Sequence, residues 1–235
     1  MKLSIIIPVY NEAQAFPKLL EKVRSVAIPV EREIIAVDDC STDGSREILE
    51  KTEGVVKAFH AKNSGKGTAL RTGIGLATGD FIIIQDADLE YDPNDYPALL
   101  APILENEADV VYGSRFLDKR NKFGTLSYLA NIFLTFLTRM LIHLPVTDME
   151  TCYKLFRAPI LKSINLTENR FGFEPEVTMK LSMIPNIRYA EVPVSYTART
   201  KEEGKKIGWK DGVRAIWALF KYRVRLARGL DTVQK

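Results

Sequence analysis

Two aspartates separated by one alanine, Asp86 and Asp88, follow the apolar run of residues 81–84. If that run is a buried strand, both carboxylates lie at its carboxyl end, where they could approach one divalent cation together. Mg²⁺ and Mn²⁺ prefer oxygen ligands and can complete a two-carboxylate site with phosphate oxygens from the substrate. Such a cation neutralises charge that develops on a diphosphate leaving group. The pattern predicts a metal and nucleotide diphosphate site, although a solvated loop after a strand can show the same residues.

A second acidic segment, residues 38–44 (Asp-Asp-Cys-Ser-Thr-Asp-Gly), follows another apolar run. Ser41 or Thr42 could cap the helix that comes next, and acids near a helix N-terminus are favourable. Capping does not explain Asp38, whose position at a strand end suits hydrogen bonds to a base or a ribose. The spacing also resembles an EF-hand calcium loop. We reject that interpretation because a strand precedes the segment and Arg46 stands where an apolar side chain is expected.

The glycine-rich residues 63–68 (Asn-Ser-Gly-Lys-Gly-Thr) resemble a phosphate-binding turn. A P-loop requires a glycine five positions before Gly65, where this chain has His60, so we do not predict one. The segment still predicts a tight turn that leads into a helix, with Lys66 close to a phosphate group. His60 and His143 are isolated from other metal-ligating residues, and we assign neither of them to a metal.

These side chains need a scaffold, and the first half of the chain has a regular pattern. Short apolar runs predict strands at residues 3–9, 33–37, 55–59, 81–84 and 109–112, and helical patterns alternate with them. This alternation predicts an α/β fold with a mainly parallel central sheet and helices on both faces. Ligands of such sheets bind at the carboxyl ends of the strands. Both acidic segments and Tyr10-Asn11-Glu12 lie at predicted strand ends.

The second half of the chain has a different pattern, in which amphipathic helices dominate. Helices are predicted at residues 126–144, 174–183 and 209–228, and strands at residues 153–156 and 188–194. We assign residues 1–198 to the α/β domain. Residues 199–235 form a basic amphipathic segment, which is part of the same domain or contacts a membrane. In the last helix, apolar residues recur every three or four positions and form one stripe: Trp209, Val213, Ile216, Trp217, Phe220 and Val224.

Charge is distributed unevenly along a chain whose formal net charge is +3. Residues 199–228 contain ten Lys and Arg against three acids, whereas residues 1–198 are net acidic. A basic segment with an apolar stripe favours contact with an anionic membrane, and no nucleic acid is expected as a partner. Asn131, Arg139 and His143 interrupt the most apolar stretch, so we predict no membrane span. Two isolated cysteines and no signal-peptide pattern indicate a cytoplasmic protein, peripheral at the cytoplasmic membrane face.

Several segments, in this order, resemble the family-two glycosyltransferases of GT-A fold. Residues 4–12 are similar to the family's first strand and nucleotide-contacting turn, and residues 37–44, 63–67 and 77–80 follow at the expected places. Residues 86–88 are similar to its metal motif, and Gly113-Ser114-Arg115 is similar to an arginine-bearing turn near the phosphates. The resemblance covers nearly the whole chain, and it implies the GT-A fold and an enzyme that uses a nucleotide sugar.

Two further segments resemble the branch of this family that makes polyprenyl- or dolichyl-phosphate sugars. Residues 147–154 are similar to a segment that lines the acceptor side, and residues 193–199 are similar to a strand ending in a phosphate-contacting arginine. The branch often has a Gly-x-Ser-Lys turn next, whereas this chain reads Glu-Gly-Lys-Lys-Ile at residues 203–207. Many members also continue into transmembrane helices, so attachment here would be peripheral or would depend on a membrane-anchoring partner.

The resemblance implies an inverting transfer of mannose or glucose from GDP-mannose or UDP-glucose to a polyprenyl phosphate, with Mg²⁺ or Mn²⁺ as cofactor. A phosphate acceptor with a second pKa of about 6 is already anionic at neutral pH, so it requires positive charge and no general base. Asp148 would be the base if the acceptor were a hydroxyl group. The implied nucleotide-binding residues are Pro8, Tyr10, Glu12, Asp38, Asp39, Lys66 and Asp86. The implied metal ligands are Asp86 and Asp88. The implied catalytic residues are Asp88, Arg115, Asp148 and Arg199. The residues implied to contact the acceptor phosphate are Arg199, Lys205 and Lys206.

Three other functions are compatible with parts of this pattern. A soluble glycosyltransferase that acts on a glycan or a small hydroxyl acceptor would share the donor motifs. A catalytically idle subunit that binds lipid or anchors a partner belongs to a different class, and the intact pair of Asp86 and Asp88 argues against it. A nucleotidyltransferase is less consistent with the sequence because the glycine-rich N-terminal loop expected there is missing.

Overall fold

Seven strands form one sheet in the computed structural model, which describes residues 1–121, 124–199 and 209–228. In chain order the strands are β1 (Lys2–Val9), β2 (Glu31–Asp38), β3 (Val56–Phe59), β4 (Phe81–Ile84), β5 (Val110–Ser114), β6 (Lys154–Arg157) and β7 (Tyr189–Pro193). Their spatial order is β3-β2-β1-β4-β6-β5-β7. Among these strands, β6 alone is antiparallel to its neighbours, β4 and β5. The other pairs are parallel, so the predicted mainly parallel sheet is confirmed.

The apolar runs form strands because both faces of the sheet are covered. Ile5, Ile6 and Ile7 of β1 point alternately to the two faces, and all three are fully buried. The helices that provide this cover are α1 (Phe16–Ser25), α2 (Ser45–Lys51), α3 (Lys66–Leu76), α4 (Tyr96–Leu104), α5 (Thr125–Leu141), α6 (Ala158–Ser163), α7 (Phe173–Leu181) and α8 (Trp209–Ala227). The three helices predicted in the second half of the chain correspond to α5, α7 and α8 to within a few residues at their ends, whereas α6 was not predicted.

The predicted cap at Ser41 or Thr42 is wrong. Helix α2 begins at Ser45, and its N-cap is Gly44, whose φ of 96° lies in the left-handed region that favours glycine. Ser41 and Thr42 bind the turn after β1 instead. Ser41 Oγ accepts a hydrogen bond from the backbone N–H of Asn11 (3.0 Å), and Thr42 N–H donates to Asn11 Oδ1 (2.8 Å). These contacts cross the sheet edge, so a local capping rule could not reveal them.

The last helix, α8, is part of the folded body in the described residues. Ala218, Leu219 and Tyr222 are fully buried, and α8 packs against α7 and α5. The Tyr222 hydroxyl donates to Glu168 Oε1 (2.9 Å), as does the Lys221 ammonium (2.7 Å). None of the helices in the described ranges is both long enough and apolar enough to cross a bilayer.

Candidate active site

The polar segments that follow β1, β2 and β4 meet at one edge of the sheet. Strand β1 lies between β2 and β4, and Val9 pairs with Asp38 where both strands end. The backbone N–H of Asp39 donates to Val9 O (2.8 Å), and that of Gln85 donates to Ile6 O (2.9 Å). Residues 10–12, 38–39 and 85–88 are therefore neighbours. Pro8 lies within β1, and Tyr10 follows it with an exposed ring.

Asp38 and Asp39 are buried, and both organise the surrounding loops. The Asp38 carboxylate accepts the backbone N–H groups of Cys40 (3.1 Å) and Ser41 (3.2 Å), which stabilises the positive φ of Cys40. Asp39 accepts the N–H groups of Ser64 and Gly65 at 2.9 and 2.6 Å. The imidazole of His60, for which the sequence predicted no metal role, lies 2.7 Å from Asp39 Oδ1. The second acidic segment thus holds the glycine-rich turn against β2.

Lys66 is the first residue of α3, and its ammonium bridges two carboxylates. Its Nζ lies 2.8 Å from Asp86 Oδ1 and 2.9 Å from Glu174 Oε1. Burial alone would lower the pKa of Lys66, but the carboxylates raise it well above its usual value, so the side chain stays charged. A side chain at Gly65 or Gly67 would collide with the backbone carbonyl of Asn169 or Glu168. These two glycines therefore allow residues 168–170 to pack directly on the turn that carries Lys66.

Asp86 and Asp88 suit a divalent cation whose remaining ligands come from a substrate. Asp88 uses Oδ1 to accept the N–H of Glu90 (3.1 Å), which leaves its second oxygen available. Burial, followed by the nearby charges of Asp86 and Glu90, raises the pKa of Asp88 to about 7. Within the described residues, no group of three His, Cys, Asp or Glu side chains could enclose a metal alone. A two-carboxylate donor set of this kind suits Mg²⁺ or Mn²⁺ bound to phosphate oxygens.

Arg199 reaches the same edge from the segment after β7. Its guanidinium forms two hydrogen bonds with Glu12, at 2.9 and 3.2 Å, and its backbone N–H donates to Glu90 Oε1 (2.8 Å). Tyr196 secures this segment, because its hydroxyl donates to Glu90 Oε2 (3.0 Å). The positive charge of Arg199 is close enough to act on the carboxyl group of Asp88. Lys205 and Lys206, which were also predicted to contact phosphate, lie outside the described residues.

Arg115 and Asp148 form a buried ion pair. Asp148 is fully buried and accepts three hydrogen bonds from Arg115. The donors are the backbone N–H (3.0 Å), Nε (2.7 Å) and Nη2 (2.8 Å) of the arginine. The guanidinium also lies over the Tyr196 ring, 5.0 Å from its centroid. Burial would lower the pKa of Arg115, yet Asp148 raises it well above its usual value. In this state the two residues bind each other instead of projecting into open space.

Comparison with known proteins identifies the family. Residues 4–164 match the family described as Glycosyl transferase family 2. The chain belongs to this family. It is therefore a glycosyltransferase, and the predicted enzyme class and GT-A fold are confirmed.

Two relatives of this family 2 glycosyltransferase have named activities. A dodecaprenyl-phosphate galacturonate synthase of Rhizobium johnstonii is 30% identical over 211 residues, which cover 85% of this chain and 60% of that protein. An undecaprenyl-phosphate mannosyltransferase of Micrococcus luteus is 29% identical over 220 residues and 88% of each chain. This chain thus spans less than two thirds of the first relative and most of the second.

The fold is also that of a solved structure. The chain superposes on glucosyl-3-phosphoglycerate synthase from Mycobacterium tuberculosis, crystallised with Mn²⁺, UDP and phosphoglyceric acid, with a TM-score of 0.73. The two sequences are 19% identical, and the match covers 94% of this chain and 78% of that one. At this identity the likeness concerns the fold.

Two acids that the sequence analysis did not select lie close to the predicted donor residues of this glycosyltransferase. Glu174, in the first turn of α7, is the second partner of Lys66. Glu150 follows Asp148, and burial and the charge of Glu174 raise its pKa to about 8. The first-turn position of Glu174 resembles ordinary helix-terminus stabilisation, so only the long-range contact with Lys66 distinguishes it.

Proposed function

We propose that this family 2 glycosyltransferase transfers a hexose from a nucleotide diphosphate sugar to a polyprenyl phosphate, with inversion at the anomeric carbon. The donor part of this proposal depends on one observation: Asp86, Asp88 and Lys66 lie together at the carboxyl edge of the sheet. The names of the two relatives, both polyprenyl-phosphate sugar enzymes, support the acceptor part. GDP-mannose and UDP-glucose are the donors that we propose.

The donor site combines a metal-binding pair with fixed positive charge. Asp86 and Asp88 would hold Mg²⁺ or Mn²⁺, which supplies charge neutralisation for the leaving diphosphate when it is bound. Lys66 adds an ammonium group at the N-terminus of α3, next to Asp86. Asp38 and Asp39 keep the loops beside the base and ribose in place, and Pro8 and Tyr10 border that space.

Arg199 is the residue that we assign to the acceptor phosphate. Its guanidinium is paired with the Glu12 carboxylate, and a phosphate dianion can replace that carboxylate as a bidentate partner. Because Arg199 lies close to Asp88, a phosphate bound there would be near the donor. Lys205 and Lys206 are proposed to contribute further positive charge.

The alternative, a soluble enzyme with a hydroxyl acceptor, would require a general base. Asp148 was the candidate, but its carboxylate accepts three hydrogen bonds from Arg115 and is fully buried. Because both carboxylate oxygens face Arg115 and the side chain is fully buried, Asp148 has no path to an acceptor hydroxyl. We therefore propose that Asp148 and Arg115 position the segment on the acceptor side, and we favour an acceptor that is already ionised.

A lipid acceptor requires contact with a membrane, and two adjacent helices expose apolar side chains that suit it. On α5 these include Leu126, which is 83% exposed, and on α8 they include Trp217, which is 57% exposed. The predicted stripe of α8 does not dock entirely on the domain, because only Ile216 of its described members packs against the core. The exposed apolar residues of the two helices are Leu126, Tyr128, Leu129, Ile132, Phe133, Phe136, Met140, Val213, Trp217, Phe220 and Val224.

Basic side chains accompany these apolar residues. Arg214, Arg223 and Arg228 are exposed on or directly after α8, and each basic residue near an anionic surface contributes about 1 kcal/mol of attraction. We propose that α5 and α8 together form a membrane-binding face. The protein would then bind peripherally at the cytoplasmic face, directly or with the help of an anchoring partner.

Vesicle binding tests this membrane-binding face. We expect the protein to co-sediment with vesicles that contain anionic lipid, and binding to weaken as salt rises, because screening removes the attraction of the basic residues. Phe133→Glu on α5 and Trp217→Glu on α8 should each reduce binding at least about tenfold, since a charge replaces an inserted apolar side chain.

Leu76→Glu provides the matched control, because Leu76 is an exposed apolar residue at the end of α3, outside the proposed face. This variant should bind like the unmodified protein. Equal recovery of all variants in the supernatant, with neutral and anionic vesicles at low salt, would show that the face does not bind membranes.

A transfer assay tests the acceptor assignment. We expect the enzyme to glycosylate a polyprenyl phosphate but not the corresponding polyprenol, which lacks the anionic oxygen. Arg199→Ala should cost about 2–4 kcal/mol in kcat/KM because it removes a charge-assisted contact to phosphate. Arg199→Lys should restore only part of that loss, since the bidentate guanidinium is missing.

The control is Arg46→Ala, which removes a half-buried arginine that pairs with Glu50 on α2, away from the proposed site. It should leave kcat/KM unchanged. Transfer to the polyprenol at a comparable rate would contradict the phosphate acceptor, and wild-type kinetics in both Arg199 variants would assign Arg199 to a structural ion pair only.

A further inference from the structure

Two carboxylates next to the proposed donor site, Glu150 and Glu174, each have one buried oxygen without a hydrogen-bond partner. In the described part of the chain, Glu150 Oε1 and Glu174 Oε2 are the buried side-chain oxygen or nitrogen atoms in this condition. Buried acceptors are normally satisfied, because an unmade hydrogen bond leaves the cost of desolvation uncompensated. Two such atoms in one region therefore indicate a ligand that donates hydrogen bonds.

Their position relates them to the donor and not to a separate site. The other oxygen of Glu174, Oε1, lies 2.9 Å from Lys66 Nζ, and the same ammonium lies 2.8 Å from Asp86. Glu174 and the proposed metal ligand Asp86 thus contact the same ammonium group. The side chain of Glu174 is only 6% exposed, and its charge acts directly on Glu150.

The chemistry of these acceptors selects the part of the donor that they can bind. A diphosphate has no hydrogen to donate, and the base lies towards Asp38 in the proposed arrangement. A sugar carries several hydroxyl groups, each of which can donate to a carboxylate oxygen. The sugar is also the part that is attached to the phosphate nearest to Asp86 and Lys66.

The same surroundings disfavour a sugar that carries a carboxylate. A uronate would place a further negative charge beside the Glu174 carboxylate, and the described cations nearby already have partners. Lys66 is paired with Asp86, Arg115 is paired with Asp148, and Lys154 donates to the carbonyls of Met149 and Thr151.

We infer that Glu150 and Glu174 form the subsite for the transferred sugar, and that this sugar is a neutral hexose bound through its hydroxyl groups. The inference rests on the proposed function, and it separates this chain from the relative named as a galacturonate synthase. The subsite is closed in this structure, because Lys66 bridges Glu174 and Asp86. A diphosphate that attracts the Lys66 ammonium would open this bridge.

Calorimetric binding in the presence of Mn²⁺ tests the inference without relying on catalysis. The ligands are UDP, UDP-glucose and UDP-glucuronate, and in parallel GDP, GDP-mannose and GDP-mannuronate. With the nucleotide that binds, we expect the hexose donor to bind at least tenfold more tightly than its uronate counterpart. Glu150→Gln and Glu174→Gln should each reduce this ratio at least threefold, because the amide weakens the bonds to hydroxyls and, at position 174, no longer repels a carboxylate.

Glu47→Gln, which changes an exposed acid on α2, is the matched control and should keep the ratio. Thermal unfolding of each variant shows whether it is folded, and Glu150→Gln, which does not touch Lys66, isolates the sugar contact from the phosphate contact. Equal binding of hexose and uronate donors to the unmodified protein, or an unchanged ratio in both Gln variants, would overturn the sugar subsite. Failure of both UDP and GDP to bind with Mn²⁺ would instead overturn the proposed function, and the subsite with it.

Discussion

Loss of sugar transfer with an intact fold is the expected result of either Asp86→Ala or Asp88→Ala. Both residues follow β4 at the sheet edge, outside the hydrophobic core, so the free energy of unfolding should change little. Activity should fall by more than about 10²-fold. Substitution of residues that only hydrogen-bond to metal ligands already lowers activity about 10–100-fold. Excess EDTA should have the same effect on the unmodified protein.

Initial rates and Mn²⁺ titrations measure this effect, and circular dichroism with thermal unfolding measures the fold. Glu21→Ala is the matched control, because Glu21 is an exposed acid on α1. Asp86→Ala also leaves the Lys66 ammonium with Glu174 as its remaining carboxylate partner, so Asp88→Ala gives the cleaner comparison. Full activity in both variants, or in EDTA, would contradict the metal assignment.

Removal of one partner of the Arg115–Asp148 pair should have the largest effect on stability. In Asp148→Ala the guanidinium of Arg115 stays buried without its counter-ion, which costs about 3–5 kcal/mol of unfolding free energy. The double variant Arg115→Met/Asp148→Leu should lose less than the sum of the single variants, because it leaves no unpaired charge. Urea unfolding of the four proteins provides the comparison.

The pair of Arg120 and Asp118 is a suitable control because the Arg120 side chain is exposed, so Arg120→Ala should leave the unfolding free energy essentially unchanged. Asp148→Asn separates the structural role from a role as base. If Asp148 were a base, this variant would stay folded and lose the acidic limb of the pH–rate profile. An unfolding free energy of Asp148→Ala close to that of the unmodified protein would contradict the structural role.

Much of the scaffold could be predicted from local sequence patterns. The runs in β1 and β4 are apolar at every buried position except Ser4, so burial on both faces of a sheet is their simplest explanation. The acids after these strands then had to meet at one edge, because parallel neighbours end together. These predictions depend only on short segments, and the structure confirms the sheet.

Contacts between distant residues account for what local patterns missed. Ser41 and Thr42 look like helix caps, yet Asn11 binds them from the neighbouring strand end. His60 looks isolated until Asp39 and Thr72 are seen on its two ring nitrogens. Glu174 meets Lys66 only because residues 168–170 pack on the glycine turn. Each pairing requires the complete fold.

The contacts of Arg115, Asp148 and Arg199 could not be predicted from local sequence patterns either. Their selection depended on resemblance to a family, which indicates where a residue lies but not what it contacts without ligands. The structure pairs Arg115 with Asp148 and Arg199 with Glu12, whose sequence positions are 33 and 187 apart. Each ion pair holds an arginine at a defined position. Its partner cannot be deduced from sequence spacing.

The antiparallel strand β6 has a consequence for how the chain can fold during synthesis. β6 lies between β4 and β5, both of which precede it in the chain, so these two strands do not pair with each other. Until residues 154–157 emerge from the ribosome, the edges of β4 and β5 that β6 covers remain open, and open edges promote aggregation. The carboxylates after β4 are translated early, yet their final environment is completed late. Nascent chains of this enzyme should therefore depend on chaperones until the second half of the chain is available.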